Sequence, residues 1–259
     1  MRRGSSDWRD VACVPDRPPR LLLYGVEGIG KSSFASCAPN PVFIQTEDGL
    51  DEIDCDKFPL AMSLSDVMGS LGALGTEQHE FQTVCIDSLD WLERLIWDRV
   101  CQDFGVKSIE KADGGYARGY MHALTYWREI VSSLTELRNK HNMAVILIAH
   151  SKVEKVEDPL TPSYDRYSPR LHKHAGALLG EWVDAILFAH WKYRTRSEDA
   201  GFGRERSIAV PIGANGEDRV LRTVGSPAWV AKNRFNLAPE IPLSWHAFAQ
   251  GLMAEPAAQ

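Results

Sequence analysis

Five short apolar segments are spaced along the chain, and each is stopped by glycine or by polar residues. They occupy residues 20–24, 41–46, 81–86, 143–149 and 185–189. A short apolar run that ends in turn residues is typical of a strand buried on both faces of a sheet. The pattern therefore predicts five strands in the interior of the fold.

Two segments between these runs carry apolar residues at helical spacing, which places them on one helix face that must pack against another element. Strands that alternate with helices predict an α/β fold, in which a mostly parallel, twisted sheet has helices on both faces. The first stripe is Leu89, Leu92, Ile96 and Val100, and the second is Leu124, Trp127, Val131 and Leu134.

The remaining segments predict connections and ends. Residues 206–211 and 219–224 predict a C-terminal β-hairpin that turns at Asn215-Gly216. Glycines in 105–118 and prolines in 151–170 predict two long loops. We expect an N-terminal tail over residues 1–18, a single domain over 19–250 and a C-terminal tail over 251–259.

Composition excludes several classes of protein. Among 259 residues, 44% are hydrophobic and 25% charged, as in a globular protein rather than a disordered one. There is no long uncharged apolar stretch, so we expect no transmembrane helix and no membrane partner. The net charge of −6 argues against a surface that binds nucleic acid everywhere, but it permits a local basic patch.

The cysteines and the N-terminal residues indicate the cellular compartment. The five cysteines are scattered without a CxxC pair, which predicts neither a zinc site nor a disulfide framework. The first residues lack the apolar core of a secretory signal. We therefore expect a reducing cytoplasm.

Residues 25–32 match G-x-x-x-x-G-K-[ST] and lie between a predicted strand and a helical segment, as this phosphate-binding motif requires. Glycines let successive backbone N–H groups converge, and the helix N-terminus adds partial positive charge. The motif predicts ATP and Mg²⁺ as cofactors. The predicted nucleotide-binding residues are Gly25, Val26, Glu27, Gly28, Ile29, Gly30, Lys31, Ser32 and Ser33.

Within this motif, Lys31 would contact the β- and γ-phosphates and Ser32 would bind Mg²⁺. Asp87 ends the third predicted strand. It either holds Mg²⁺ through water or caps the helix that begins at Leu89. Asp90 is expected to face solvent one turn into that helix.

Two further polar residues follow predicted strands, at the edge where open α/β sheets bind ligands. Glu47 follows the second strand and is either a base that takes a proton from water or part of a solvated turn at Asp48-Gly49. His150 follows the fourth strand and is either a sensor of the γ-phosphate or a polar strand end.

The order of these features resembles the core of RecA-type recombinases. The resemblance implies that Glu47 activates the attacking water and that position 150 couples ATP to DNA-binding loops. The family usually has Gln at that position, so His150 is a departure. The chain looks most similar to phage-encoded RecA-like ATPases of the single-strand annealing type, over most of residues 20–248. Tyr-Asp-Arg-Tyr at 164–167 and Leu-His-Lys at 171–173 carry this closer resemblance.

The resemblance implies an ATPase stimulated by single-stranded DNA, which anneals and recombines phage DNA in the cytoplasm of an infected bacterium. It also implies a homo-oligomeric ring or filament and a single-strand-binding protein as a further partner. In such assemblies a neighbouring subunit supplies a cation to the ATP site. Lys232 and Arg234 are the candidates for that role.

Residues 151–174 are the predicted DNA-binding segment. They have five Lys or Arg against four Asp or Glu, and two tyrosines flank an arginine. Aromatic rings stack on bases, and cations follow the phosphates. The alternative is a mobile loop of mixed charge. The predicted DNA-binding residues are Lys152, Arg166, Tyr167, Arg170 and Lys173.

Three other functions use the same phosphate-binding motif. A nucleotide or small-molecule kinase would need a basic lid, for which residues 190–206 are a candidate. A hexameric helicase motor would be expected to carry more than one domain of this size. A nucleotide-binding assembly factor would hydrolyse ATP poorly. Glu47 and the long segment after the fourth strand favour hydrolysis coupled to DNA.

Overall fold

The computed structural model describes residues 17–199, 205–212 and 218–253. The described strands are β1 Arg20–Gly25, β2 Pro41–Gln45, β3 Asp56–Lys57, β4 Thr83–Asp87, β5 Ala144–Val156, β6 Tyr164–Pro169, β7 Ala185–Trp191, β8 Tyr193–Asp199, β9 Glu205–Pro211, β10 Arg219–Arg222, β11 Lys232–Asn233 and β12 Glu240–Pro242. The described helices are α1 Lys31–Ser36, α2 Leu64–Thr76, α3 Leu89–Phe104, α4 Arg118–Lys140, α5 Lys173–Trp182 and α6 Trp245–Met253.

A mixed, mostly parallel sheet forms the centre of the molecule. Its strand order is β12-β10-β7-β1-β5-β4-β2-β3, with β6 paired to β5 and β11 paired to β7. All neighbours from β7 to β3 are parallel, whereas β10, β11 and β12 join antiparallel. The five predicted strands are β1, β2, β4, β5 and β7. Because they are parallel, their carboxyl ends meet at one edge of the sheet.

Alternating side chains of the central strands form two hydrophobic layers, as the period of a strand requires. On β1, Leu22 and Tyr24 pack with α2, α3, α4 and α5 on one face. Leu21 and Leu23 pack with α1 and α6 on the other face. The predicted fold class, a mostly parallel sheet with helices on both faces, is confirmed.

The predicted helical stripes are buried. All four residues of the first stripe lie on α3 and are 0% exposed. In the second stripe, on α4, Leu124, Trp127 and Leu134 are buried and Val131 is half-buried. The helix α2 was not predicted, although Ser63 and Asp66 form a capping box at its start.

The two predicted loops contain regular structure. Residues 151–170 do not form a loop, because β5 continues to Val156 and pairs antiparallel with β6. This pair is called the β5–β6 hairpin below. Residues 105–118 include 3₁₀ turns over Ile109–Gly114.

A hairpin is present in the C-terminal half, but its strands differ from those predicted. The strand β9 pairs with β8, whereas β10 pairs with β7 and β12. The predicted turn at Asn215-Gly216 lies outside the described residues. The strands β8 and β9 pair along seven residues each, which is a longer ladder than the four-residue strand β10 could form.

The domain bounds at 18 and 250 stay a prediction. The helix α6 continues through position 250 to Met253, and its Phe248 packs edge-on against Phe34 of α1. Among the described residues, no helix combines the length and hydrophobicity that crossing a bilayer requires.

The packing of α3 on the sheet predicts a large cost for truncating Leu92, which is 0% exposed. We expect Leu92→Ala to lower the free energy of unfolding by about 2–5 kcal/mol, because it removes buried methyl groups and leaves a cavity. Urea unfolding followed by circular dichroism measures this. Asp98→Ala, at an exposed position of the same helix, should change the value by less than about 0.5 kcal/mol. Equal losses in both variants would contradict the assigned burial.

Candidate functional site

The phosphate-binding loop joins β1 to α1 and depends on its glycines. Gly28 and Gly30 have φ values of 71° and 103°, a left-handed conformation that favours glycine. At Gly25, a Cβ atom would lie 2.3 Å from the carbonyl oxygen of Ala189 on the adjacent strand. The close approach of β1 and β7 therefore requires glycine where the loop begins.

Lys31 is buried inside this loop, with only 6% of its surface exposed. Its Nζ donates hydrogen bonds to the carbonyl oxygens of Val26 at 2.9 Å and Gly25 at 3.2 Å. Burial lowers the pKa of the Lys31 ammonium, although nearby carboxylates, Asp87 first among them, oppose this. The loop thus holds a poorly solvated cation, which an anionic phosphate would stabilise.

Ser32 and Asp87 lie in contact beside the loop. The Ser32 hydroxyl donates a hydrogen bond to Asp87 Oδ2 at 2.5 Å. Burial raises the pKa of Asp87, while the Ser32 hydrogen bond and the Lys31 charge oppose the increase. A hydroxyl and a carboxylate are the oxygen ligands that Mg²⁺ accepts, so the pair fits the predicted metal.

Protein side chains alone would not complete such a metal site. Within the described part of the chain, there is no cluster of three or more His, Cys, Asp or Glu side chains placed to hold a metal ion. Mg²⁺ usually keeps several waters and is bound through one or two carboxylates together with substrate phosphates. The Ser32–Asp87 pair matches that pattern.

Glu47 follows β2 and lies next to the end of β4. Its Oε2 accepts a hydrogen bond from the Ser88 hydroxyl at 2.9 Å. The Thr46 hydroxyl donates to the Ser88 carbonyl oxygen at 2.7 Å and accepts from the Ser88 N–H at 3.0 Å. These bonds fix Glu47 relative to Asp87, yet one third of the Glu47 side chain stays exposed to the pocket.

A pocket of about 380 Å³ lies at the carboxyl edge of the sheet, a volume within the range of small-molecule sites. The strand β5 lies between β1 and β4, so His150 stands between the phosphate-binding loop and Asp87. The pocket is lined by Glu27, Gly28, Gly30, Lys31, Ser32, Ser33, Glu47, Gly49, Leu50, Ile53, Asp87 and His150.

Asp90 does not face solvent as predicted, since its exposure is only 5%. Its carboxylate accepts from the His150 N–H at 3.1 Å and from Arg170 Nη2 at 3.0 Å, and Oδ2 lies 3.0 Å from His150 Nδ1. Burial alone would raise the pKa of Asp90, but these hydrogen bonds and charges outweigh it and hold the pKa well below its usual range. The first turn of α3 is packed against the end of β5, which is why Asp90 is turned inward.

Glu93 is a second buried acid that the sequence interpretation missed. It is 4% exposed, and its carboxylate accepts from the His172 N–H at 2.9 and 3.1 Å. Burial raises the pKa of Glu93 to about 7, while the bond from His172 opposes the increase. A signal was available, because position 93 lies on the same helical face as Leu89 and Ile96.

Arg219 is a further residue near the loop that the sequence did not indicate. Its Nη1 donates to the carbonyl oxygen of Ile29 at 3.1 Å. The same atom would lie 2.7 Å from a Cβ at Gly30. The strand β10, which lies between β12 and β7, therefore supports the phosphate-binding loop from a position far away in the sequence.

The side chains of the predicted DNA-binding residues have different partners within the fold. The Lys152 ammonium donates to the Leu171 carbonyl oxygen at 2.7 Å, and Arg166 forms an ion pair with Glu154 at 2.9 Å. Arg170 bonds Asp90, and Lys173 is exposed at the first residue of α5.

Tyr167 is the fifth predicted DNA-binding residue. It is 39% exposed on the β5–β6 hairpin and stacks on Phe188 with ring centroids 5.1 Å apart. Of the five residues, Tyr167 and Lys173 are exposed, and the other three are partly buried.

The candidates for action on a neighbouring subunit lie at the opposite edge of the sheet. Lys232 Nζ donates to the carbonyl oxygens of Gly180, Glu181 and Val183 at the end of α5. Arg234 lies 3.4 Å from Asp184. These contacts stabilise their own chain, and a role in a neighbour's site stays a prediction.

The fold and the pocket together define a P-loop nucleotide-binding protein. The profile of the AAA domain family AAA_24 matches residues 17–235. The chain belongs to this family of P-loop ATPases.

Two other proteins show weaker similarity to this chain. The SPbeta prophage-derived uncharacterized protein YorG of Bacillus subtilis (strain 168) is 21% identical over 225 residues, which cover 84% of this chain and 58% of YorG. The chain thus spans less than two thirds of that relative. The crystal structure of the RadB recombinase superposes with a TM-score of 0.44 at 13% identity, covering 89% of this chain and 90% of RadB.

The raised pKa of Glu93 predicts a specific dependence of stability on pH. The folded protein favours the protonated acid. The contribution of protonated Glu93 to the stability of the fold is therefore fully present below the ordinary pKa of 4.5, and it is lost as pH rises through about 7. Glu93→Gln cannot ionise. We expect its free energy of unfolding to rise relative to wild type between about pH 5 and about pH 8, by at most about 3 kcal/mol.

Urea unfolding at several pH values measures this difference. Glu129→Gln, at an exposed position of α4, is the matched control and should show a flat difference from wild type. A flat difference for Glu93→Gln as well would show that Glu93 ionises normally.

Proposed function

We propose that this P-loop ATPase hydrolyses ATP with Mg²⁺, with Glu47 as the base, and that it couples hydrolysis to binding and annealing of single-stranded DNA during recombination. One observation carries the proposal. A single pocket is lined by a phosphate-binding loop with a buried lysine, a hydroxyl–carboxylate pair and a separate carboxylate. These are the groups that bind, neutralise and hydrolyse a triphosphate.

Binding would use the loop itself. The N–H groups of residues 25–33 would surround the phosphates, and Lys31 would exchange its two carbonyl contacts for β- and γ-phosphate oxygens. Because the Lys31 ammonium is already desolvated, little further desolvation of this cation opposes the new contact. Ser32 and Asp87 would hold Mg²⁺, which neutralises charge on the phosphate oxygens when it is bound.

Hydrolysis would require a base beside the terminal phosphate. Glu47 is held through Oε2 by Ser88, which leaves its other carboxylate oxygen available for a water molecule. The base would take a proton from that water as the water attacks the γ-phosphorus and the bond to the bridging oxygen breaks, which would release ADP and phosphate. His150, whose Nδ1 is 3.9 Å from Glu47, would detect the γ-phosphate.

The β5–β6 hairpin supports the coupling to DNA. It continues without a break from His150, because β5 runs from the interior of the sheet to Val156. Its exposed residues include Val153, Lys155 and Tyr167, and Lys173 follows at the start of α5. An exposed aromatic ring together with lysines suits unpaired bases and phosphates.

The setting is also part of the proposal. The prophage origin in the name of YorG supports a phage context, and with it the cytoplasm of an infected bacterium. Annealing, assembly into a ring or filament, and cooperation with a single-strand-binding protein rest on the resemblance to phage recombination ATPases. In such an assembly Lys232 or Arg234 would act on a neighbour's nucleotide.

Replacing Glu47 by Gln tests the hydrolysis mechanism. We expect turnover to fall by at least about 10²-fold, because the amide cannot accept the proton from water. The affinity for a fluorescent ATP analogue should be unchanged, since the loop is intact. Asp48→Asn, at the exposed neighbouring position, should keep wild-type turnover.

Measurements of ATP turnover and of strand displacement separate the alternatives. Turnover that survives in Glu47→Gln would exclude Glu47 as the base. Turnover that rises with single-stranded DNA supports the proposed coupling. Turnover that ignores DNA but requires a small acceptor would indicate a kinase, and displacement of a strand from a forked duplex would indicate a helicase.

The lysines of the proposed DNA surface make a second test. We expect the double variant Lys155→Ala with Lys173→Ala to bind oligothymidylate more weakly. If both lysines contact phosphates, the slope of log affinity against log salt should flatten by about 1.4, at about 0.7 for each lost contact. Fluorescence anisotropy over a salt series measures both quantities.

Lys111→Ala with Lys140→Ala removes the same charge from exposed positions beside and on α4. This control should keep the wild-type slope. Identical slopes in the two double variants would place the DNA elsewhere on the molecule.

A further inference from the structure

The Asp90 carboxylate lies between the side chains of His150 and Arg170 and contacts both. On one side its carboxylate meets the backbone N–H and the ring Nδ1 of His150. On the other side its Oδ2 accepts from Nε and Nη2 of Arg170 at 3.3 and 3.0 Å. The Asp90 side chain is only 5% exposed, so a buried carboxylate joins the mostly buried His150 to the partly exposed Arg170.

The contact with Asp90 orients the imidazole of His150. Because Nδ1 faces a carboxylate, which accepts hydrogen bonds, we assign the ring proton to Nδ1, whose N–H donates a hydrogen bond to Asp90. The structure describes no partner for Nε2 among the residues it covers. His150 lines the pocket beside Lys31 and Asp87, which leaves Nε2 as the ring atom for a ligand.

Arg170 connects the same carboxylate to two other parts of the site. Its Nη2 is 3.7 Å from Glu27, which lies in the phosphate-binding loop. Its backbone N–H donates to the His150 carbonyl oxygen at 2.8 Å. Arg170 directly follows β6, so it links the base of the β5–β6 hairpin to the pocket.

Stability alone does not account for an acid at this position. Its neighbours on α3, Leu89 and Leu92, are 0% exposed and pack against the sheet. A buried carboxylate loses its hydration, and an apolar residue of similar volume is often at least as stabilising as a buried ion pair. Unlike the buried acids Glu93 and Asp184, Asp90 contacts a side chain that lines the pocket, and this contact indicates a task there.

We propose that Asp90 is a positioning residue, which holds the His150 ring toward the nucleotide and ties it through Arg170 to the β5–β6 hairpin. This inference rests on the proposed function, since it assigns a role within the same reaction. Asp90 is not among the residues that line the pocket, so it would act through His150 and Arg170. A displacement of the β5–β6 hairpin would thus be transmitted to the His150 ring through the ion pair of Arg170 with Asp90.

Asp90→Asn tests the proposal because it keeps the shape of the side chain and removes its charge. We expect kcat for ATP to fall by about 10–100-fold with KM unchanged, as for the loss of a supporting partner behind a functional residue. The ring ¹⁵N signals of His150, assigned with His150→Gln, should lose the pattern of a proton fixed on Nδ1.

Glu93→Gln is the matched control, because it neutralises a buried acid one turn further along α3 that bonds the His172 backbone instead. It should keep the wild-type kcat and the wild-type His150 signals. Arg170→Gln, at a side chain that is 41% exposed, leaves the core intact and should lower kcat while Arg170→Lys retains more of it.

The outcomes separate this inference from the proposed function. A wild-type kcat in Asp90→Asn, or an equal loss in Glu93→Gln, overturns the positioning role. If the wild-type protein binds ATP without hydrolysing it, the proposed hydrolysis fails. The ¹⁵N signals then decide for Asp90: a change in Asp90→Asn alone supports its hold on His150, and no change overturns it. Should Asp90→Asn not fold, the kcat of Arg170→Gln decides in the same way.

Discussion

The register of the parallel strands is the constraint on which the pocket depends. Gly25 pairs with His150, Asp87 with Ile148 and Gln45 with Asp87. Both faces of these strands are buried, and a slip by one residue would exchange the two faces. The hydrophobic layers therefore hold the register. The register in turn brings the residues at the ends of β1, β5, β4 and β2 together around one pocket.

The two edges of the sheet use buried charge differently. At the amino edge, Asp184 is surrounded by Arg20, Arg138 and Arg234, at distances of 2.7, 3.5 and 3.4 Å. That network joins the start of β1 to α4 and to the segment after β11, and its acid is matched by several cations.

At the carboxyl edge two charged groups, Lys31 and Asp87, are less completely matched. Lys31 donates to backbone carbonyl oxygens, and among the described residues the Ser32 hydroxyl is the one hydrogen-bond donor to the Asp87 carboxylate. Burial shifts the pKa of both groups toward their neutral forms. Groups held in this way gain most from a ligand that supplies the missing charge, and such perturbed groups are characteristic of functional sites. This difference favours the carboxyl edge as the place of the proposed chemistry, whereas the ion pairs of Asp184 join elements of the fold at the amino edge.

What could be predicted from the sequence depended on how local the determining interactions are. Residues 25–32 form the phosphate-binding loop through their own backbone conformations, so their function was visible from eight consecutive positions. The five buried strands and the stripes of α3 and α4 were equally visible, because the apolar period is a local property. The β5–β6 hairpin was mistaken for a loop, since its residues are mostly polar and only cross-strand pairing reveals them.

The sequence by itself determined the strands, the two main helices and the loop that would hold a phosphate, because each is encoded by neighbouring residues. Tertiary structure alone decided the inward turn of Asp90, the burial of Glu93, the contact of Arg219 with Ile29 and the attachment of Arg170 to the pocket. Those residues come from separate elements, and their burial and charge follow from packing over long separations in the chain. A local pattern carries no record of such contacts.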